Sequence, residues 1–363
     1  MKVGLVIYGS LDILTGGFVY DRKLVDYSRE QGASVEIFSL PWRDYAAHLT
    51  DNLSCKFLRR LRSSKCDILL EDELNHPSLL ITNRILAHSI KYPIISIVHH
   101  LRCSELRSEA ANRFYRMVEK KYLASTNGLV FNSYTTRDSV EKLGLGPKPY
   151  VIAYPGRNSV NPGIDPAFIR KRAEETGPLR LLFVGSLIRR KELHTLLEAL
   201  SYIPKKEWIL RVVGSLETDK AYSAEILDRI RRFELADNVT LLGSMSGEKL
   251  EAEYRNCQAL AVPSSYEGFG IVYLESMGFG SPPLASTAGA AHEIITDGLN
   301  GFLVTPSDAR GIAEKIARLT ADRKLLIEMG LAALDHFIAH PTWEQSSEKI
   351  FNFMKEMVDR THV

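Results

Sequence analysis

Ala259-Leu260-Ala261-Val262-Pro263-Ser264-Ser265-Tyr266-Glu267-Gly268-Phe269-Gly270-Ile271-Val272-Tyr273-Leu274-Glu275-Ser276-Met277-Gly278 passes from an apolar strand through a Pro-Ser-Ser turn into a helix expected to open near Phe269. A strand that hands over to a helix through a glycine-bearing turn is the repeating step of a parallel α/β sheet. Gly268 and Gly270 let backbone N–H groups approach a ligand at the helix N-terminus, where anions and hydroxyls are favoured. Glu267 precedes the helix and Glu275 lies more than a turn inside it, which separates the carboxylates by roughly 10 Å at 1.5 Å rise per residue. That is wider than the ~5–5.5 Å of a carboxylate pair acting on one bond with retention. The pair therefore suits a clamp on separate parts of one long ligand.

Outward from this stretch the same rhythm fills the chain. Strand patterns fall at 3–8, 34–38, 67–70, 94–98, 128–131 and 150–153, then again at 181–184, 209–213, 239–242, 259–262, 283–285 and 302–304. Helical periodicity fills most of the gaps, as at 18–30 and 113–124, and the tail from Asp308 is helical with a break at His340-Pro341. Between the two series, 154–178 holds four prolines and three glycines and no strand pattern, the mark of a linker. The 363 residues exceed one ordinary core. The expected architecture is α/β, with two Rossmann-like, doubly wound parallel sheets facing a deep interdomain cleft. Ligands of such sheets bind at the carboxyl ends of the strands. The expected divisions are 1–160 and 179–342, joined by a linker at 161–178, with a terminal helix at 343–363 returning to the first domain.

Composition narrows the function. The chain is 45% hydrophobic and 25% charged, with a net charge of +2, an ordinary globular balance. No apolar run approaches the ~18 residues that cross a bilayer. Met1 to Tyr8 reads as a first strand and not as a signal peptide. Cys55, Cys66, Cys103 and Cys257 show no metal or disulfide spacing, and the expected address is the cytoplasm. Up to Pro155 there are 21 basic against 16 acidic residues, too slight an excess for a nucleic-acid binder. The basic run Lys56-Phe57-Leu58-Arg59-Arg60-Leu61-Arg62 is the expected point of any peripheral membrane contact, at the inner face of the membrane.

Glu267, seven residues and Glu275, set in Glu-Gly-Phe-Gly…Leu-Glu-Ser-Met, resemble the signature of the family 4 retaining glycosyltransferases of GT-B fold. The resemblance implies that Glu275 binds the nucleotide ribose, that Glu267, Phe269 and Gly270 face the donor sugar, and that Gly268 and Ile271 belong to the same donor-binding loop. Val184-Gly185-Ser186-Leu187-Ile188-Arg189-Arg190-Lys191 is similar to the family's diphosphate loop. Lys191 matches the family lysine; Ser186 stands where an arginine is usual, and Arg189 or Arg190 could supply that charge. Gly214, Gly243 and Met245 fall in loops that lie beside the nucleotide in similar enzymes. Leu14-Thr15-Gly16-Gly17 resembles the loop over the donor phosphates, and His99 the histidine facing the transferred sugar. His100 stands where an aspartate is common. Thr287 to Glu293 and Asp297-Gly298-Leu299-Asn300-Gly301 resemble the family's later Gly-rich turn and hairpin.

The activity this implies is retaining transfer of a sugar from a nucleotide-diphosphate sugar to an unidentified hydroxyl acceptor. No cofactor and no metal ion are expected, since the sequence shows no Asp-x-Asp, His/Cys or carboxylate motif. Lys191, Glu267 and His99 are the expected catalytic residues. Alternatives are a sugar-nucleotide 2-epimerase of the same fold and a nonenzymatic nucleotide-sugar-binding subunit.

Overall fold

The computed structural model describes residues 1–12, 15–158 and 163–361. Leu14 of the glycine loop, the 160/161 boundary and the last two residues of the expected terminal helix lie outside them. The chain divides into two compact units, Met1–Gly156 with Pro341–Val363, and Arg157–His340.

The first unit is built on a six-stranded sheet of order β2-β1-β3-β4-β5-β6. Its strands are β1 (Lys2–Tyr8), β2 (Ser34–Leu40), β3 (Ile68–Asp72), β4 (Ile94–Val98), β5 (Gly128–Phe131) and β6 (Tyr150–Ile152). Every pairing is parallel. β3 and β4 are buried along their whole length, as helices on both faces require of central parallel strands. The final helix, Trp343–Thr361, belongs to this unit and packs on the helix Gly16–Glu30, with Tyr27 and Phe351 ring centroids 6.0 Å apart. Gly156 permits its entry, because a Cβ there would fall 2.2 Å from the Trp343 nitrogen.

The second unit has a six-stranded sheet of order β12-β11-β10-β7-β8-β9, again wholly parallel. The strands are β7 (Leu179–Val184), β8 (Trp208–Val213), β9 (Val239–Gly243), β10 (Ala259–Ala261), β11 (Pro283–Ser286) and β12 (Phe302–Val304). The chain runs outward from β7 to β9, then returns to lay β10 against the other side of β7. The direction of winding therefore reverses between β7 and β10, which opens a crevice at their carboxyl ends. Each unit is thus a Rossmann-like, doubly wound parallel α/β sheet.

Three local expectations change. Within the stretch 161–178, expected as a linker, the structure places a helix, Pro166–Glu174. Pro166 starts this helix instead of breaking it: Pro is accepted at the first helical position, and Asp165 caps it by accepting from Phe168 N at 2.7 Å. The helix after β10 begins at Ile271, two residues later than expected, because Gly270 takes φ +90° at the cap. The basic run lies in the helix Cys55–Ser63, but Phe57 and Leu61 face the core. Arg60 lies over the Phe38 ring and pairs with Glu36, so this helix turns its apolar stripe inward. Among the described residues, no helix is long and apolar enough to cross a membrane.

Candidate active site

In the second unit the loops that follow β7, β8 and β9 are stacked on one another through their backbones. Gly185 N donates to Val213 O at 2.9 Å, Leu187 N to Ser215 O at 3.0 Å and Gly214 N to Gly243 O at 2.9 Å. Gly214 cannot be larger, since a Cβ would stand 1.9 Å from the Gly185 carbonyl oxygen. The loop after β7 ends in a 3-10 turn, Arg189–Lys191, which leads through Glu192 into the helix Leu193–Ser201. Arg190 O accepts from Ser265 N at 2.8 Å and so ties this turn to the loop after β10.

Across the β7/β10 crevice three side chains meet. Lys191 Nζ donates to Glu267 Oε1 at 2.5 Å, and Arg190 Nη1 lies 3.2 Å from the same oxygen and 2.6 Å from Tyr266 O. Burial would raise the Glu267 pKa, but the Lys191 and Arg190 charges outweigh it and hold the carboxyl at about 2. Burial draws the Lys191 ammonium down, and Glu267 opposes that. The result is an anchored carboxylate flanked by two cations. Glu267 is fixed through its backbone as well: its carbonyl accepts from Ala290 N at 2.9 Å, and it bridges Gly289 in parallel fashion. A Cβ on Gly289 would fall 2.0 Å from the Glu267 carbonyl oxygen. The Gly-rich turn after β11 thus braces the glutamate.

Arg189 does not join this group. It pairs with Glu225 on the helix Lys220–Arg232 and lies over the Tyr222 ring, 65% exposed. A 3-10 turn rotates successive side chains by about 120°, so three consecutive cations cannot share one direction. Of the two candidates for the charge absent at Ser186, Arg190 stands beside Lys191.

Glu275 sits in the second turn of the helix Ile271–Gly278, where its Oε2 accepts from the Tyr254 hydroxyl at 2.7 Å. Burial raises its pKa and the tyrosine bond partly offsets this. The sequence offered no sign of Tyr254, which comes from the helix Glu248–Asn256. Phe269 departs from its expected place against a sugar. The residue is 3% exposed and its ring centroid lies 5.8 Å from that of His340, so the ring packs inward. Gly268 is buried, whereas Gly270, Ile271, Ser186, Gly243 and Met245 are half-buried.

In the first unit Gly16 and Gly17 open a helix instead of preceding it, capped by Thr15. Gly17 lies against His99, at the end of β4, and His99 faces Asp21 and Asp72. A second buried group joins Glu73, His76 and Glu119; in each group the carboxylate and imidazole atoms lie within 4.8 Å of one another. Sequence spacing showed neither group, because each joins residues from separate elements. The acids at 71–73, directly after an apolar strand, were the available signal. His100 instead pairs with Glu105 at 3.1 Å.

Residues 165–335 match the family described as "Glycosyl transferases group 1". A D-inositol 3-phosphate glycosyltransferase of Corynebacterium kroppenstedtii is 29% identical over 254 residues, covering 67% of this chain and 56% of that protein. The chain thus spans little more than half the length of this curated relative. Among solved structures, sucrose-phosphate synthase from Thermosynechococcus elongatus superposes with a TM-score of 0.85 at 21% identity, covering 99% of this chain and 100% of that one. Anabaena HepE in complex with UDP-glucose gives 0.77 at 17% identity, covering 100% and 99%.

Proposed function

We propose that this chain is a glycosyltransferase that moves a sugar from a nucleotide-diphosphate sugar to a hydroxyl acceptor, with retention and without a metal ion. The observation that carries this is the Lys191–Glu267–Arg190 group at the winding reversal of the second sheet. A nucleoside diphosphate leaving group gains negative charge as its bond to the sugar breaks. Two cations already desolvated and aimed into the crevice stabilise that charge with little reorganisation. Glu267 keeps both cations in place and offers its other oxygen toward the sugar. Glu275, held by Tyr254, takes the ribose hydroxyls.

In this reading the sugar C1–phosphate bond breaks while the acceptor oxygen bonds to C1 on the same face. The acceptor proton passes to the departing phosphate oxygen, so no carboxylate nucleophile is required. The match to glycosyl transferases group 1 covers the unit that holds Lys191, Glu267 and Glu275. The likeness to Anabaena HepE in complex with UDP-glucose makes uridine donors the first to try.

A thermal-shift panel of nucleotide sugars tests the donor site, because a ligand that binds only the folded chain raises its melting temperature. Lys191→Ala and Glu275→Ala should abolish both the shift and the transfer while the chain stays folded. Full transfer by either variant would refute the assignment. Transfer should also survive excess chelator.

A further inference from the structure

The first unit carries a buried group of charges that the donor site leaves unused. Asp21, in the helix Gly16–Glu30, is 0% exposed, and neither of its carboxylate oxygens has a hydrogen-bond partner among the described residues. Its Oδ1 stands 3.5 Å from His99 Nε2, which is likewise without a hydrogen bond. Asp72, at the end of β3 and 3% exposed, completes the group and caps the following turn by accepting from Leu74 N at 2.9 Å.

His99 is held on its other sides too. The Tyr20 ring meets it edge-on with centroids 5.2 Å apart, and the Tyr20 hydroxyl is engaged by Ala153 O at 2.7 Å. A Cβ on Gly17 would stand 3.2 Å from His99 Cδ2, so only glycine allows that approach without displacing the ring. Asn132 Nδ2 donates to the His99 carbonyl at 2.8 Å. The ring is clamped, and the carboxylates of Asp21, Asp72 and Glu73 act on it through their charge.

Two carboxylates in a dry site cannot both ionise beside a neutral imidazole without a large desolvation cost. An imidazolium removes most of it. Burial alone would lower the His99 pKa, but the adjacent Asp21 carboxylate and the charge of Asp72 outweigh burial and raise it to about 9. Burial and the nearby Asp21 charge raise Asp72 to about 7.

We propose that Asp21 is a positioning residue which, with Asp72, fixes His99 as a cation at the tip of β4, so that His99 serves transfer as a standing hydrogen-bond donor and not as a general base. This rests on the glycosyltransferase reading above. A doubly protonated imidazole has no lone pair to take the acceptor proton, which leaves that proton to the departing phosphate oxygen. What His99 can do is donate to an oxygen of a substrate bound at the carboxyl end of β4.

The test pairs an NMR titration of His99, in chain labelled at histidine, with the pH dependence of kcat. In the wild type the His99 signal should titrate near pH 9, and kcat should hold level from pH 6 to 8 and fall as pH rises through 9. In Asp21→Asn burial acts with less opposition, so the titration should drop to 6.5 or below. At pH 8 roughly one ring in thirty then stays protonated, and kcat should fall about thirtyfold, recovering toward pH 5.5 with the donor KM little changed. Asp21→Glu keeps the charge and should keep the alkaline titration, which separates lost charge from lost packing. A wild-type His99 titrating at or below 6.5, or an Asp21→Asn defect equal at every pH, would overturn the proposal. So would activity lost to chelator and restored by Mg²⁺, which would make the group a cation site. The NMR titration needs no turnover, and donor-induced thermal shift reports on the other unit, so failure here and failure of the glycosyltransferase reading are told apart.

Discussion

Replacing Glu267 by Gln removes a charge whose worth can be worked from its surroundings. In the folded chain the carboxyl is held at about 2, against an ordinary 4.5 once unfolded. At 1.36 kcal/mol per pH unit, ionisation of this buried group contributes roughly 3 kcal/mol at neutral pH, an order-of-magnitude figure. A depressed carboxylate stabilises fully above its unfolded pKa and loses that contribution as pH falls through the folded one. The difference between wild type and Glu267→Gln should therefore be about 3 kcal/mol at pH 7 and less than half that at pH 3. Urea unfolding of both proteins at the two pH values, followed by fluorescence, measures it. Equal midpoints at pH 7, or a gap that does not narrow on acidification, would refute the claim that Lys191 and Arg190 act on this carboxylate through charge.

Gly270→Ala forces a side chain onto a φ of +90° and sets its Cβ 2.3 Å from the Tyr273 ring. It should cost more than the ~1–2 kcal/mol of left-handed strain alone and should weaken donor binding by shifting the helix start, read by urea unfolding and donor titration. Arg190→Ala should lower kcat about a hundredfold, the lower range for loss of one preorganised charge contact, whereas Arg189→Ala should stay within about twofold. Steady-state kinetics on the two side by side checks the contrast, and equal losses would contradict the geometry.

The two sheets were legible because parallel strands buried on both faces read as short apolar runs between turns. The pattern failed where a strand carries charge: β3 runs to Asp72, past the expected end at Leu70, and Glu71 is 0% exposed there. Glu71 is stabilised by Asn83, whose Nδ2 donates to Oε2 at 2.8 Å, a partner eleven residues beyond the strand's charged neighbour Asp72 and invisible to local patterning. The residues expected at the donor could be read together because the signature around Glu267 and Glu275 lies on one strand–turn–helix unit. Tyr254 and Asp21 were not, because each reaches its partner from a helix distant in sequence. Phe269 shows the opposite failure: it was expected to face a ligand, but the loop that turns on Gly270 sends its aromatic ring inward.

The two units handle charge in inverse ways, and this bears on what their buried ions are for. In the second unit two cations hold one carboxylate; in the first, carboxylates hold one histidine. Replacing a buried ion pair by apolar side chains of similar volume is often neutral or stabilising, so stability alone gives no reason to keep either group. Both lie at the carboxyl ends of parallel strands, and in both a glycine keeps the backbone close: Gly289 beneath Glu267 and Gly17 against His99. Charges fixed in that way reorganise little when a ligand's own charge changes, which is the property transfer of a sugar from a diphosphate demands. The expected consequence is that Gly17→Ala, which displaces His99 without altering any charge, should reduce kcat while leaving the His99 titration near pH 9. A shifted titration would mean that the ring's protonation depends on its exact packing against Gly17 and not on the carboxylates behind it.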